Sequence, residues 1–406
     1  MPNATPWFPQ EILDTVIDFL CEALEDETPH GRSIYTFTLV ARCWVSRTRH
    51  WAFRNIALGG KWSVDVDVFI ALLQHPLCSI RQHVRVLRLG SDSSGSPADG
   101  MLLIPHMNLL PNLQDLSLDG FSFTAYYWET GMLENVFCPT LERLDLRDCA
   151  FPRLEYLTEA LSDCTALRHL QCSGLLVSYT RPTARGTGAV PKSSPNLPTP
   201  QHLTSLSLNV VEDAGQNILE WFSNAPVSPH ITDVKLKGIP DEKVAAAARL
   251  LNALGPSVIN LSLSLRHSPA TFERLQHPFC SWADLSALRN LQNLTLAGFF
   301  SSIRSMALDV PAILARLSVK KVKSITLYLL DAQAPADTLN MPWEAIIGIL
   351  NGPTFQQLEC IVFQLSPMWD VQTRDATRNL LQETVGKQLL GGVKFVCRTE
   401  SDWMPY

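Results

Sequence analysis

The sequence predicts an α/β repeat: a small helical module at the N-terminus, then an irregular array in which each unit adds one strand to a parallel sheet. Three observations lead there. A triplet of aliphatic residues recurs ten times between residues 84 and 363. Apolar stretches at helical spacing lie between the triplets. The residues before 61 carry helical patterning.

Composition sets the frame. The 406 residues (45.2 kDa) suffice for a large core, or for a small domain plus a repeat array. Apolar residues make up 46% and charged residues 18%, the balance of a globular chain. A net charge of -6 with a pI near 5.9 argues against a nucleic-acid partner. No apolar run reaches the roughly 18 residues of a membrane helix. Met1 to Glu11 lacks a basic start followed by an apolar core, so no secretory leader is expected. The ten cysteines form no CxxC pair and suit buried thiols in a reducing compartment. The expected location is therefore cytoplasmic, nuclear or both, with no membrane partner.

The helical module opens at Pro9, which fits the first turn of a helix because its missing N–H would have no partner there. Glu11 and Asp14 complement the helix dipole. Ile12, Leu13, Val16, Ile17 and Leu20 recur at helical spacing and predict one apolar stripe. The charge run and breakers after Glu25 end this helix. A second helical stretch is expected from Ser33 to Val40. A third should run through Cys43, Trp44, Trp51, Phe53 and Ile56, interleaved with Arg42, Arg47, Arg49 and Arg54. Three short amphipathic helices are marginal alone and are better served when one apolar face meets a partner.

The array follows. The triplet reads aliphatic, two variable, aliphatic, one variable, aliphatic, as in Leu113-Leu116-Leu118 or Leu203-Leu206-Leu208. Its ten starts, from Val84 to Leu358, lie 29, 28, 26, 36, 28, 27, 33, 31 and 36 residues apart by subtraction. Leucine-rich repeats run about 20–29 residues, so the short intervals fit and the long ones imply inserted loops. Two residues beyond the last aliphatic stands Gly120, Gly174, Gly238 or Gly298, with Asp148 in the same place in the third unit. Glycine there lets the chain leave the strand sharply. Val393 to Cys397 reads as a closing strand. Crossover helices are expected within 69–73, 154–161, 218–222, 244–254, 310–317 and 343–350. Strand plus crossover helix, repeated in parallel, stacks into a solenoid with a concave sheet. A doubly wound α/β domain also alternates strand and helix, but would not need one triplet at every strand. The domains are thus 1–60, helical, and 61–406, the array, with a Pro/Ser/Thr/Gly-rich surface loop inserted at about 178–200.

No chemistry-bearing motif accompanies this framework. Phosphate-cradling, nucleophile-elbow, zinc and kinase patterns are missing, and His277 with Cys280 forms one close pair without partners. The chain is therefore expected to be no enzyme and to need no cofactor or metal. Function should sit on the outward face of the sheet, where side chains alternate with the buried leucines. The candidates for binding a protein substrate are Asp115, Ser117, Arg143, Asp145, Arg147, His169, Gln171, Ser207, Lys235 and Lys237, in a polar ladder that continues through Asn260, Ser262, Ser264 and Asn293.

Two segments resemble a known family. Phe8 to Leu20 (Phe-Pro-Gln-Glu-Ile-Leu-Asp-Thr-Val-Ile-Asp-Phe-Leu) is similar to the first helix of an F-box. Residues 39 to 56 resemble the second half of F-boxes common in fungal families, in Leu39-Val40, Cys43-Trp44, the Arg-rich step and the Phe53-Arg54-Asn55-Ile56 ending. The departures are Trp7-Phe8 where a Leu is commoner, Ala41 for a commoner Cys, and the loop from Glu25 to Arg32. The resemblance implies the substrate-recognition subunit of an SCF-type (Skp–cullin–F-box) ubiquitin ligase. Such a protein docks on a Skp-family adaptor, and through it on a cullin–RING ligase, while its repeats hold a protein substrate for ubiquitination. By the same resemblance Phe8, Pro9, Ile12, Leu13, Ile17, Leu39, Val40, Cys43 and Trp44 are the candidate adaptor-facing residues. The alternative is a ligase-independent leucine-rich-repeat scaffold.

Overall fold

Strands form where the triplets place them, and they stack in chain order. The computed structural model describes residues 10–25, 44–59, 66–90, 98–123, 136–177, 199–226, 228–266, 285–299, 303–317, 320–329, 341–366, 369–389 and 392–399. The expected helix at Ser33 to Val40, most of the 178–200 loop, and the His277–Cys280 pair lie outside them. The chain divides into two compact units, Met1–Ala150 and Phe151–Tyr406.

The first unit opens with α1 (Gln10–Glu25) and α2 (Val45–Ala52). It continues through β1 (Asn55–Leu58), α3 (Val66–Gln74), β2 (Val86–Gly90), α4 (Ala98–Leu103), β3 (Asp115–Asp119) and β4 (Arg143–Arg147). The strands β1 to β4 pair in that order, all parallel. The second unit runs α5 (Leu154–Asp163), β5 (His169–Ser173), β6 (Ser205–Asn209), α6 (Asp213–Asn224), β7 (Asp233–Pro240), α7 (Val244–Leu254) and β8 (Asn260–Arg266). It goes on through β9 (Asn293–Phe299), α8 (Ile303–Arg316), β10 (Ser324–Leu329), α9 (Trp343–Leu350), β11 (Cys360–Leu365), α10 (Val371–Leu381) and β12 (Lys394–Arg398). Here too every pairing is parallel and sequential. A doubly wound sheet reverses its strand order at a switch point; neither run of strands does. Each unit is an α/β repeat.

The triplet explains the register. Every strand from β2 to β11 begins two residues after the first aliphatic of its triplet, so the other two aliphatics are its second and fourth residues. Those positions share one face because side chains alternate along a strand. They are buried throughout, from Leu87 and Leu89 to Ile361 and Phe363. Each such side chain contributes about 1.5–3 kcal/mol on burial.

The backbone repeats as strictly. The carbonyl just before a strand accepts two successive amides from the next rung: Arg54 O takes those of Arg85 and Val86, and Thr232 O those of Ile259 and Asn260. Turn side chains add a second tie. Asn112 Nδ2 donates to Gln82 O (2.8 Å), Ser257 Oγ to Ile231 O (2.8 Å) and Asn290 Nδ2 to Pro256 O (2.8 Å). These bonds satisfy polar groups that a turn would otherwise leave to solvent.

At the strand exits the backbone adopts positive φ at Gly120 (76°), Gly174 (61°) and Asp148 (49°), and it does so again at Gly238 (65°). Aspartate is among the few residues that tolerate this region. At Gly238 the turn lies inside a strand: β7 carries one extra residue opposite β8, between the pairs Leu236–Leu263 and Ile239–Leu265. A bulge built on a left-handed glycine re-aims a strand in this way.

Three features depart from expectation. The third helix of the N-terminal module stops at Ala52, and Asn55–Leu58 is a strand paired with β2, not the helix end expected through Ile56. The helices α4 and α10 occur where no helix was expected. Helix α8 begins at Ile303 and passes through Pro311, upstream of the expected 310–317.

Candidate functional site

Two surfaces hold the sequence-derived candidates: the helical module and the outward face of the strands.

In the module, α1 is apolar on two sides. Ile17 and Cys21 are fully buried and pack with Trp51 of α2, with Trp44 and Ala52 partly buried against them. Ile12, Val16 and Phe19 lie on the far side, 49%, 43% and 70% exposed. At 100° per residue the two sets sit nearly opposite each other on the helix. The single stripe expected from Ile12 to Leu20 is therefore two, with Leu13 and Leu20 half-buried between them. Ile17 is a packing residue of the module, Ile12 is surface, and Trp44 is half-buried. Phe8, Pro9, Leu39, Val40 and Cys43 lie outside the described residues.

Asp18 locks α1 to α2. It accepts hydrogen bonds from Arg47 Nε (2.6 Å) and Nη2 (2.5 Å) and from the Trp51 indole N–H (2.8 Å). Charge-assisted, forked contacts of this kind are the strong ones. The Arg47 bond holds the Asp18 carboxyl below its ordinary range against the opposing effect of burial. Arg54 stacks over the Trp51 ring at 4.8 Å. His50 of α2 meets His83, in the turn before β2, with Nδ1 atoms 3.2 Å apart and rings edge-to-face. Burial lowers the pKa of both rings, and at His50 the facing His83 and the guanidiniums of Arg47, Arg85 and Arg54 lower it further.

On the outward face the candidates fall into one group per unit. In the first unit Asp115 stands beside Arg143 and Ser117 beside Asp145. Arg143 Nε reaches Asp115 Oδ2 across strands at 3.8 Å. Arg147, in contrast, grips Asp145 on its own strand, through Nη2 (2.6 Å) and Nε (2.9 Å), which raises its pKa. Of the two arginines on this strand, one therefore bonds along it, to Asp145, and the other across, to Asp115. The second unit brings together His169 with Ser205, Gln171 with Ser207, then Ser207 with Lys235 and Asn209 with Lys237. Next to them runs a hydrogen-bonded chain: Asn260 Nδ2 donates to Asp233 Oδ1 (2.5 Å), and Asn293 Nδ2 to Asn260 Oδ1 (2.7 Å). The ladder then changes character. Ser262 and Ser264 are buried, as is Gln364 on β11, so the outward face is not uniformly solvated.

Two features were missed in the sequence. Asp18 was passed over because a lone acid beside apolar residues reads as a helix surface position; the signal was an acid on α1 combined with an arginine and an indole on α2. Phe19 was passed over because it falls off the assumed stripe. Among the described residues no group of three or more His, Cys, Asp or Glu could hold a metal ion, and no helix is long and apolar enough to cross a membrane.

Comparison with known proteins adds little to this geometry. No family model matches the chain, and no curated protein matches it. Among solved structures, a Bacteroides fragilis protein determined as a structural genomics target is similar over 86% of this chain and 75% of its own, at 12% identity and a TM-score of 0.32. A likeness at that level carries no argument about function.

Proposed function

We propose that this chain is the substrate-recognition subunit of an SCF-type ubiquitin ligase. The α1–α2 module docks on a Skp-family adaptor, and the repeats hold a protein substrate. The observation that carries this reading is the pair of F-box-like segments in the expected order, together with the exposed apolar stripe of Ile12, Val16 and Phe19 on α1. Adjacent exposed apolar residues on a helix whose other face already packs a core are a common mark of an interface. In this reading the protein performs no bond chemistry. It raises the local concentration of substrate lysines beside a recruited conjugating enzyme.

Co-expression with a Skp-family adaptor tests it, using wild type and the Ile12→Asp/Phe19→Asp variant. Both positions are exposed, so the double substitution leaves the module's core of Ile17, Cys21 and Trp51 in place. Binding by wild type that the variant loses supports the reading. A chain that ignores the adaptor leaves the alternative, a repeat scaffold that works outside any ligase.

A further inference from the structure

Because the strands of the second unit are parallel, all their starts lie along one edge and all their ends along the other. Among the described residues the first edge is the more basic and the second the more acidic. At or just before the strand starts stand Arg168, Arg289, Lys320, Lys321, Lys323 and Lys394, all exposed, with Asp233 and Glu359 as the opposing acids. At or just beyond the strand ends stand Glu212, Asp213, Asp241, Glu242 and Asp370, with Lys243, Arg266 and Arg398 as opposing cations. Acids at that second edge are accounted for by the N-termini of α6, α7 and α10, where the helix dipole favours negative charge. The cations need another account, since Arg289 and the three lysines at 320, 321 and 323 lie outside any helix.

They are also placed by the repeat. Asn293 pairs with Ser324, so Arg289 and Lys320 occupy equivalent positions on neighbouring rungs, as do Asn290 and Lys321. Lys321 Nζ donates to Asn290 Oδ1 (2.6 Å), and Asn290 Nδ2 is anchored on Pro256 O. Lys323 reaches Glu359 only at 3.9 Å, with both side chains well exposed, a pairing of little strength. The result is a concentration of positive charge along this edge, in a chain whose net charge is -6.

We propose that the strand-entry edge of the second unit, centred on Arg289, Lys320, Lys321 and Lys323, docks an extended acidic segment of a protein partner. Rungs are roughly 4.8 Å apart, and alternate residues of an extended chain project to one side about every 7 Å. Long lysine and arginine stems bridge that difference. A protein segment fits better than a nucleic acid, because the chain's net charge of -6 repels a long polyanion. The inference goes beyond the adaptor reading and does not need it: the edge would serve a ligase subunit or a scaffold equally.

The test is fluorescence anisotropy of the full chain with a labelled glutamate-rich peptide of about twelve residues, long enough to cross the edge, at low and at physiological salt. Three chains are compared: wild type, Arg289→Glu/Lys320→Glu/Lys321→Glu, and the charge-matched control Arg153→Glu/Arg249→Glu/Arg266→Glu. Wild type should bind more weakly as salt rises. The edge variant should lose about tenfold or more in affinity, and the control less than about threefold. Circular dichroism monitors folding, and the corresponding glutamine triple replaces a reversal that fails to fold. No binding by wild type, equal losses in both triples, or tighter binding of a dT oligonucleotide of equal charge would each overturn the proposal.

Discussion

At the scale of single residues, Asp18 does more for the helical module than any apolar side chain on the exposed side of α1. It joins two helices through three hydrogen bonds, two of them from one guanidinium. Removing the charge while keeping the shape leaves Arg47 without its counter-ion. Asp18→Asn is expected to cost about 1–2 kcal/mol, a charged hydrogen bond discounted for partial exposure, read as a lowered midpoint in urea. The His50–His83 contact makes a second prediction. Both rings have folded pKa values below the ordinary 6.5, so the unfolded chain binds protons more readily than the folded one. The contact's contribution is therefore complete above about pH 6.5 and is lost as pH falls below it. A drop in the melting temperature of wild type between pH 7.5 and pH 5.5, reduced in His83→Asn, is the expected result. A pH response unchanged by that substitution contradicts the assignment.

At the scale of elements, the strands were legible and the helices less so. A strand in this array is specified by three aliphatic residues in six, a local pattern that survives variable spacing between rungs. Every expected strand formed because its two inward residues have no other place to be buried. What the sequence hid depended on contacts distant along the chain. Asn55–Leu58 continues a helical-looking stretch, yet forms a strand because β2 offers it a parallel edge. The stripe on α1 was misread because leucine and isoleucine report hydrophobicity, not which neighbour will cover them. Turn chemistry was legible in part: Gly120 and Gly174 leave their strands at positive φ, whereas Gly238, at φ 65°, forms a bulge inside its strand and Gly298 also lies within one. Gly238→Ala should cost about 1–3 kcal/mol, because a Cβ is strained at that φ and would run into the Val211 side chain. Gly348→Ala, in α9 with nothing within 4 Å of the added atom, should instead stabilise by about 0.5–1 kcal/mol. Thermal melts of the two variants check both signs.

At the scale of the molecule, two surfaces of different chemistry suit a protein that joins partners. The helical module presents apolar side chains, while the strands present mostly polar ones. Apolar burial supplies affinity for a constant partner; a polar, hydrogen-bonding surface discriminates among variable ones. The candidate site was half legible in these terms. Outward positions on the strands followed from alternation alone, but which of them lie buried, as Ser262 and Ser264 do, depends on what covers the face. The most direct measurement is size-exclusion chromatography of the chain co-expressed with a Skp-family adaptor. A one-to-one complex with wild type, lost in Ile12→Asp/Phe19→Asp while that variant keeps its circular dichroism, is the predicted result. A complex that survives the double substitution, or a wild-type chain that elutes without the adaptor, would contradict the docking role assigned to α1.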